Sequence, residues 1–180
     1  FHDLDEMTKT GERIARMVNY FEQAPEEDAS WASWFLAGNR IKGVVKTGEL
    51  REWSSQCSGW PVWLIDECYE RVGDLAETLS LLIGGNKEAA PTSLSEVVHE
   101  ILLPLAHADR SEKAEALKRA WDRLRPMDLL PFHKLLTGGF RIGVSRGNLC
   151  KALAEVGQVD PAIIAQRISG DWDPGIRKFE

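Results

Sequence analysis

Apolar residues recur at helical spacing along almost the whole chain. Leu4, Met7, Ile14, Met17, Val18 and Phe21 share one broad face, while Glu12, Arg13 and Arg16 fall elsewhere. This predicts a helix over 4–21, ended by Pro25. A second helix is predicted over 26–36. It carries Trp31, Trp34 and Phe35, has acids in its first turn, and stops at Gly38. Thr47 reads as the N-cap of a short helix through Leu50 and Trp53, broken at Gly59. Pro61 fits the first turn of the next helix, and Gly73-Asp74 opens another over 75–83.

The residues from Gly84 to Thr92 carry the strongest linker signal in the chain. Beyond them, Ser93 or Ser95 caps a helix holding Val97, Val98, Ile101, Leu102 and Leu105. Further helices are expected over 111–124, from Pro126 through Leu136, over 148–156 and over 161–168. Two-residue alternation is confined to short β-branched pairs. The pattern therefore predicts an all-α protein of roughly ten short helices, with halves at about 1–84 and 93–180 joined by a polar linker, 85–92.

An internal repeat sharpens this picture. At a shift of 100 residues, LAGNRIKGVVKTGEL (36–50) meets LTGGFRIGVSRGNL (136–149). Leu36 pairs with Leu136, Gly38 with Gly138, Gly43 with Gly143 and Val44 with Val144. One residue of slip then pairs Leu50 with Leu149. Each copy lies between two predicted helices and carries two glycines five apart.

Charge follows the repeat. The whole chain is acidic, with a formal net charge of -6. Residues 29–48 nevertheless hold no acid, and Arg40, Lys42 and Lys46 stand there. Residues 129–154 also lack acids and carry Lys134, Arg141, Arg146 and Lys151. The acidic average thus conceals two basic turns. Glycine permits a left-handed backbone and close approach of a ligand. The following helix start leaves amides unpaired at the positive end of its dipole. Arg and Lys add full charges. Together these are the parts of a phosphate-binding device, and two copies suit the repeating phosphates of a duplex.

Other readings of the same residues remain. The glycines can be helix caps and turn residues, with the charges merely solvating a surface. A mononucleotide P-loop needs a strand before it and a lysine after the second glycine. Here helices precede the turns, and Val44 and Val144 occupy the lysine position. Metal signals are weak: His99 and His107 lie eight residues apart, and Asp66-Glu67 point apart on a helix. His133 and Cys150 carry no assignable role. Cys57, Cys68 and Cys150 form no framework and are expected to be reduced thiols. The seven Trp are expected mainly in the core. No run is long enough to span a membrane. A cytoplasmic, nucleoid-associated location is expected, and the chain is expected to be a fragment of a longer protein.

At the turns the sequence resembles the N-terminal DNA-binding domain of ATP-dependent DNA ligases. Leu136 to Ser145 fits that family's pattern L-x-G-x-x-R-x-G-[VL]-[SA]. Tyr20-Phe21, residues 31–36, Leu50-Arg51-Glu52-Trp53 and Tyr69 through Thr78 look like the bacterial branch, whose neighbours are a ligase-associated helicase and exonuclease. The resemblance implies an all-helical domain of two pseudo-symmetric halves, lying along the minor groove of nicked duplex DNA. Its setting would be DNA repair, replication or recombination. It further implies that Gly138, Gly139, Arg141, Gly143, Ser145, Arg146 and Lys151 contact the DNA backbone, joined from the first copy by Asn39, Arg40, Lys42, Gly43, Lys46 and Thr47. The first copy departs from the pattern, since Lys42 directly precedes Gly43 and Arg40 is shifted by one.

Ligase chemistry requires a Lys-x-Asp-Gly motif, and none occurs here. The nucleotidyltransferase and OB-fold domains are expected to be absent from this chain, which by itself should neither ligate nor bind ATP. ATP and Mg²⁺ are implied for the parent protein, whose catalytic domains would be partners. The competing expectation is an acidic helical scaffold that binds another protein and no DNA.

Overall fold

A computed structural model describes residue 4, residues 9–140, residues 143–170 and residues 172–174. Among them are ten helices and no strand, as the hydrophobic pattern predicts. They are α1 (Thr10–Gln23), α2 (Glu26–Leu36), α3 (Thr47–Ser58), α4 (Val62–Val72), α5 (Leu75–Ile83), α6, α7 (Arg110–Arg123), α8 (Pro126–Thr137), α9 (Arg146–Gly157) and α10 (Pro161–Arg167). The helix α6 runs continuously through Leu94–Val97, a π-helical stretch Val98–Leu102, and Leu103–His107. Pro104 has no N–H to give to the turn before it, and the Leu103 amide reaches back five residues to Val98 instead. None of the described helices is long and apolar enough to cross a membrane.

Several helix starts are set by side chains that accept early amides. Asp74 and Asp160 cap α5 and α10. Ser93 with Glu96, and Asp109 with Glu112, form reciprocal capping boxes on α6 and α7. Thr47 differs from expectation. It is the first residue of α3, and Lys46 holds the cap position, where an ammonium has no lone pair to offer.

The chain folds into two compact units. The first holds 1–39 and 140–180; the second holds 40–139. These units are drawn differently from the sequential halves, because helices are exchanged. In the first unit α9 packs along α1 and touches α2 and α10. Its core includes Met17, Phe21, Trp31, Phe35, Phe140 and Leu149. Phe140 meets Phe35 at 5.4 Å, and the Trp34 indole donates to the Trp172 carbonyl at 3.1 Å.

In the second unit α8 packs against α5, and α3 meets α4, α5 and α7. Leu50, Ile65, Leu79, Leu117, Leu129 and Phe132 are all but sealed from solvent. The residues of the expected linker lie within this unit. Asn86 donates its amide to Leu124 and its side chain to Asp122, and Gly85 is tightly enclosed by backbone atoms of 124–126.

The 100-residue repeat extends well beyond the turns. α1 and α7 cover equivalent positions and bury equivalent residues, Met17 with Leu117 and Phe21 with Trp121. α2 and α8 both start 16 residues after the helix before them begins, and both bury their last residues before the turn, Phe35-Leu36 and Leu135-Leu136. α3 and α9 then follow. The first unit therefore joins the leading helix pair of copy one to the trailing helix of copy two. The second joins the leading pair of copy two to the trailing helix of copy one.

Trp31, Trp53 and Trp121 are core residues, as expected. Trp60 and Trp63 are not, with 48% and 66% of their surfaces exposed at the start of α4.

Candidate nucleic-acid interface

The two turns share a backbone design. Gly38 and Gly138 leave the preceding helices with φ of 97° and 72°, and Gly43 and Gly143 follow with φ of 76° and 61°. All four values lie in the left-handed region, where an L side chain is strained. This is why glycine recurs at the same two places in both copies.

The second glycine of each turn is held by a cation. The carbonyl of Gly43 accepts a hydrogen bond from Lys113 Nζ, on α7 of the second unit. The carbonyl of Gly143 accepts from Arg13 Nη1 at 2.8 Å, on α1 of the first unit. Arg13 and Lys113 occupy equivalent positions of the repeat, one in each leading helix. Each leading helix thus secures the turn of the opposite copy. The sequence motifs do not single out either residue, although the 100-residue offset relates them.

The first turn is open electrostatically. Arg40, Lys42 and Lys46 are exposed and make no ion pair among the described residues. Arg40 lies over the bare face of Gly138, where an added methyl would stand 3.3 Å from Arg40 Cδ. Asn39 folds back, donating from its side chain to the Trp34 carbonyl at 3.1 Å. Thr47 is exposed at the head of α3. The acid closest in sequence, Glu49, faces Arg110 at 3.4 Å, and Arg110 also donates to Glu52 at 2.6 Å and lies over the Trp53 ring. The acids of α3 are therefore drawn toward α7.

The second turn is more occupied. Ser145 caps α9 by accepting the Asn148 amide at 3.1 Å. Arg146 donates to the Ile168 carbonyl, tying α9 to the end of α10. Lys134, one of the four cations of residues 129–154, is ion-paired with Asp74 and only 13% exposed. Burial alone would raise the Asp74 carboxyl, but Lys134 and the amides of Glu77 and Ala76 together hold it below the usual carboxylate range. Lys151 and Gly139 are exposed. Arg141 lies outside the described residues. The structure thus brings Gly138 beside Arg40 in the second unit, and Gly143 beside Arg13 in the first.

His133, to which the sequence assigns no role, is fully buried in α8. Trp121 donates its indole N–H to Nε2 at 2.9 Å, so that nitrogen must be the unprotonated one. Nδ1 then donates to Ser80 Oγ at 2.9 Å, and Ser80 donates onward to the Ala76 carbonyl at 2.6 Å. Burial pushes the imidazole down to about 3 and keeps it neutral. This is a structural brace on the helix that leads into the second turn. In the other copy the equivalent residue is Ser33, which simply bonds back to Ala29 of its own helix.

The described cysteines are all free, and Cys150 is buried in α9, where desolvation raises its thiol. There is no Lys-x-Asp-Gly, and no group of three His, Cys, Asp or Glu among the described residues could hold a metal.

Residues 1–154 match the sequence model of a family described as DNA ligase N terminus. The match contains both turns and α1 through α8. Comparison with curated proteins finds no match.

Proposed function

The chain belongs to the family of N-terminal domains of ATP-dependent DNA ligases, and on that premise we propose that it binds duplex DNA through the phosphodiester backbone. The observation that carries this reading is the doubled turn: left-handed glycines at matching places, with Arg40, Lys42 and Lys46 of the first copy exposed and in no ion pair among the described residues. Left-handed glycine puts no side chain of its own between its backbone and a phosphate. The cations supply charge that is not spent in ion pairs with described acids. Such contacts fix position on a duplex and read no base sequence.

In the first turn the working residues are Asn39, Arg40, Lys42, Gly43, Lys46 and Thr47. In the second they are Gly138, Gly139, Arg141, Gly143, Ser145, Arg146 and Lys151. The domain would hold nicked DNA along its minor groove and present the break to the catalytic domains of a full-length ligase of the bacterial type, acting in repair or replication. ATP and Mg²⁺ would be handled by those other domains.

Fluorescence anisotropy with the 180-residue chain tests the reading. Nicked duplexes of unrelated sequence should bind with equal affinity at low salt. Absence of binding to any duplex under those conditions would overturn it and favour a protein-binding scaffold.

A further inference from the structure

The cations that hold the glycine carbonyls carry an inference of their own, which rests on the DNA-binding reading above. We infer that Lys113 and Arg13 are positioning residues for DNA binding: Lys113 sets the first turn and Arg13 sets the second, each reaching across from the other copy of the repeat.

The argument begins with glycine. A residue without Cβ has many accessible backbone conformations, so a turn built on Gly43 or Gly143 is not fixed by its own sequence. Something must choose one of them. In each turn the carbonyl of the second glycine accepts from a charged donor on the packed neighbouring helix, Lys113 Nζ or Arg13 Nη1. A peptide unit is planar, so anchoring its carbonyl fixes the whole plane leading into the next residue. That plane leads directly to Val44 through Thr47 in one turn and to Val144 through Arg146 in the other. Those segments contain Lys46, Arg146 and the helix starts proposed to meet phosphate.

The geometry of the two anchors agrees. A methyl added to Gly143 would stand 2.7 Å from Arg13 Nη1 and 2.9 Å from Nη2, so the guanidinium lies flat against the glycine. Gly43 has the Ala106 carbonyl 3.5 Å from the same point, with Lys113 on its own carbonyl. Both donors are half-buried on their helices, and each stays within one compact unit with its glycine. The donors sit 100 residues apart, as the glycines do. A chance surface contact would not recur at the same offset with its two partners exchanged.

The test compares Lys113→Met, Arg13→Met, Lys113→Arg and Arg13→Lys in the 180-residue chain, using a labelled nicked duplex and ¹⁵N-labelled protein. Each Met variant should weaken binding by about five- to tenfold, the loss expected for one solvent-accessible hydrogen bond. The Arg and Lys variants keep a charged donor and should bind within about twofold of the parent chain.

Two further readings separate positioning from direct contact. A side chain that touches phosphate takes about 0.9 off the slope of log K against log salt when it is removed. The Met variants should leave that slope unchanged. On adding duplex, the amides of residues 42–47 should stop responding in Lys113→Met while those of 143–146 still respond. Arg13→Met should show the reverse. If Lys113→Met fails to fold, Lys113→Gln, which keeps a neutral donor, replaces it with a smaller loss and the same loss of response at 42–47.

Met variants that bind like the parent chain overturn the inference and leave DNA binding standing. So does a slope that drops by about one charge, or a response lost at both turns together. A parent chain that ignores duplex DNA overturns both.

Discussion

The two turns look like copies in sequence but differ in how their charges are used. The second matches the ligase pattern more closely, yet Lys134 is paired with Asp74, Arg146 is tied to Ile168, and Ser145 fills the cap of α9. The first departs from the pattern, yet Arg40, Lys42 and Lys46 stand exposed, and the cap of α3 is left without a side-chain acceptor. Similarity to a motif and readiness to bind an anion are therefore separate properties. The second turn is internally braced. The first keeps its charges and the first amides of α3 available.

The largest expected effect comes from the helices that lead into the turns. Position 33 is serine and the equivalent position 133 is a buried histidine. The folded imidazole has its pKa near 3, below the ordinary 6.5 of an unfolded histidine. Between those values the unfolded chain binds the extra proton, so the histidine's contribution to stability is complete above about pH 6.5 and falls with acid, approaching about 1.4 kcal/mol per pH unit. Urea unfolding followed by Trp fluorescence should show this decline from pH 7 to 5. His133→Gln should be less stable at neutral pH but should largely lose the decline. An unchanged slope in that variant would remove the brace from the account.

Next come the second glycines. Gly43→Ala should cost about 1 kcal/mol, from left-handed strain alone. Gly143→Ala should cost about 2 kcal/mol, because the new methyl also pushes Arg13 from its carbonyl. Equal losses in thermal or urea unfolding would mean that Arg13 contributes nothing at that turn.

The caps give a smaller contrast. Ser145→Ala should destabilise by about 1 kcal/mol. Lys46→Ser should do the opposite, stabilising α3 by about 0.5 kcal/mol while weakening DNA binding. Stability and affinity moving together at Lys46 would contradict the reading of that residue as a phosphate contact.

Much of the fold is legible in the sequence because punctuation and period agree. Glu26 and Pro126 begin helices as expected, and Val97, Val98, Ile101, Leu102 and Leu105 of α6 are buried. Thr47 misleads because threonine is a good cap in isolation, and only the backbone reveals that Lys46 holds that position. Trp60 and Trp63 mislead because size predicts burial only where a partner surface exists.

The site is legible in its glycines and not in its charges. Counting cations along the chain cannot reveal that Lys134 meets an aspartate 60 residues away. The repeat is legible too, but the exchange of helices between its copies is not, because it depends on which faces pack. Arg13 and Lys113 come within reach only when the 100-residue offset is carried from the glycines to the polar positions of the helices before them.

The most direct test of DNA-backbone binding is the salt dependence of duplex affinity in three proteins: the unaltered chain, the triple variant Arg40→Ala, Lys42→Ala, Lys46→Ala, and the double variant Arg146→Ala, Lys151→Ala. The unaltered chain should give a slope of log K against log salt of about -4 to -5. The triple variant should be shallower by about 2 to 3, and the double variant by about 1 to 2, because Arg146 also serves the Ile168 carbonyl. A flat slope for the unaltered chain, or a double variant shallower than the triple, would contradict the account.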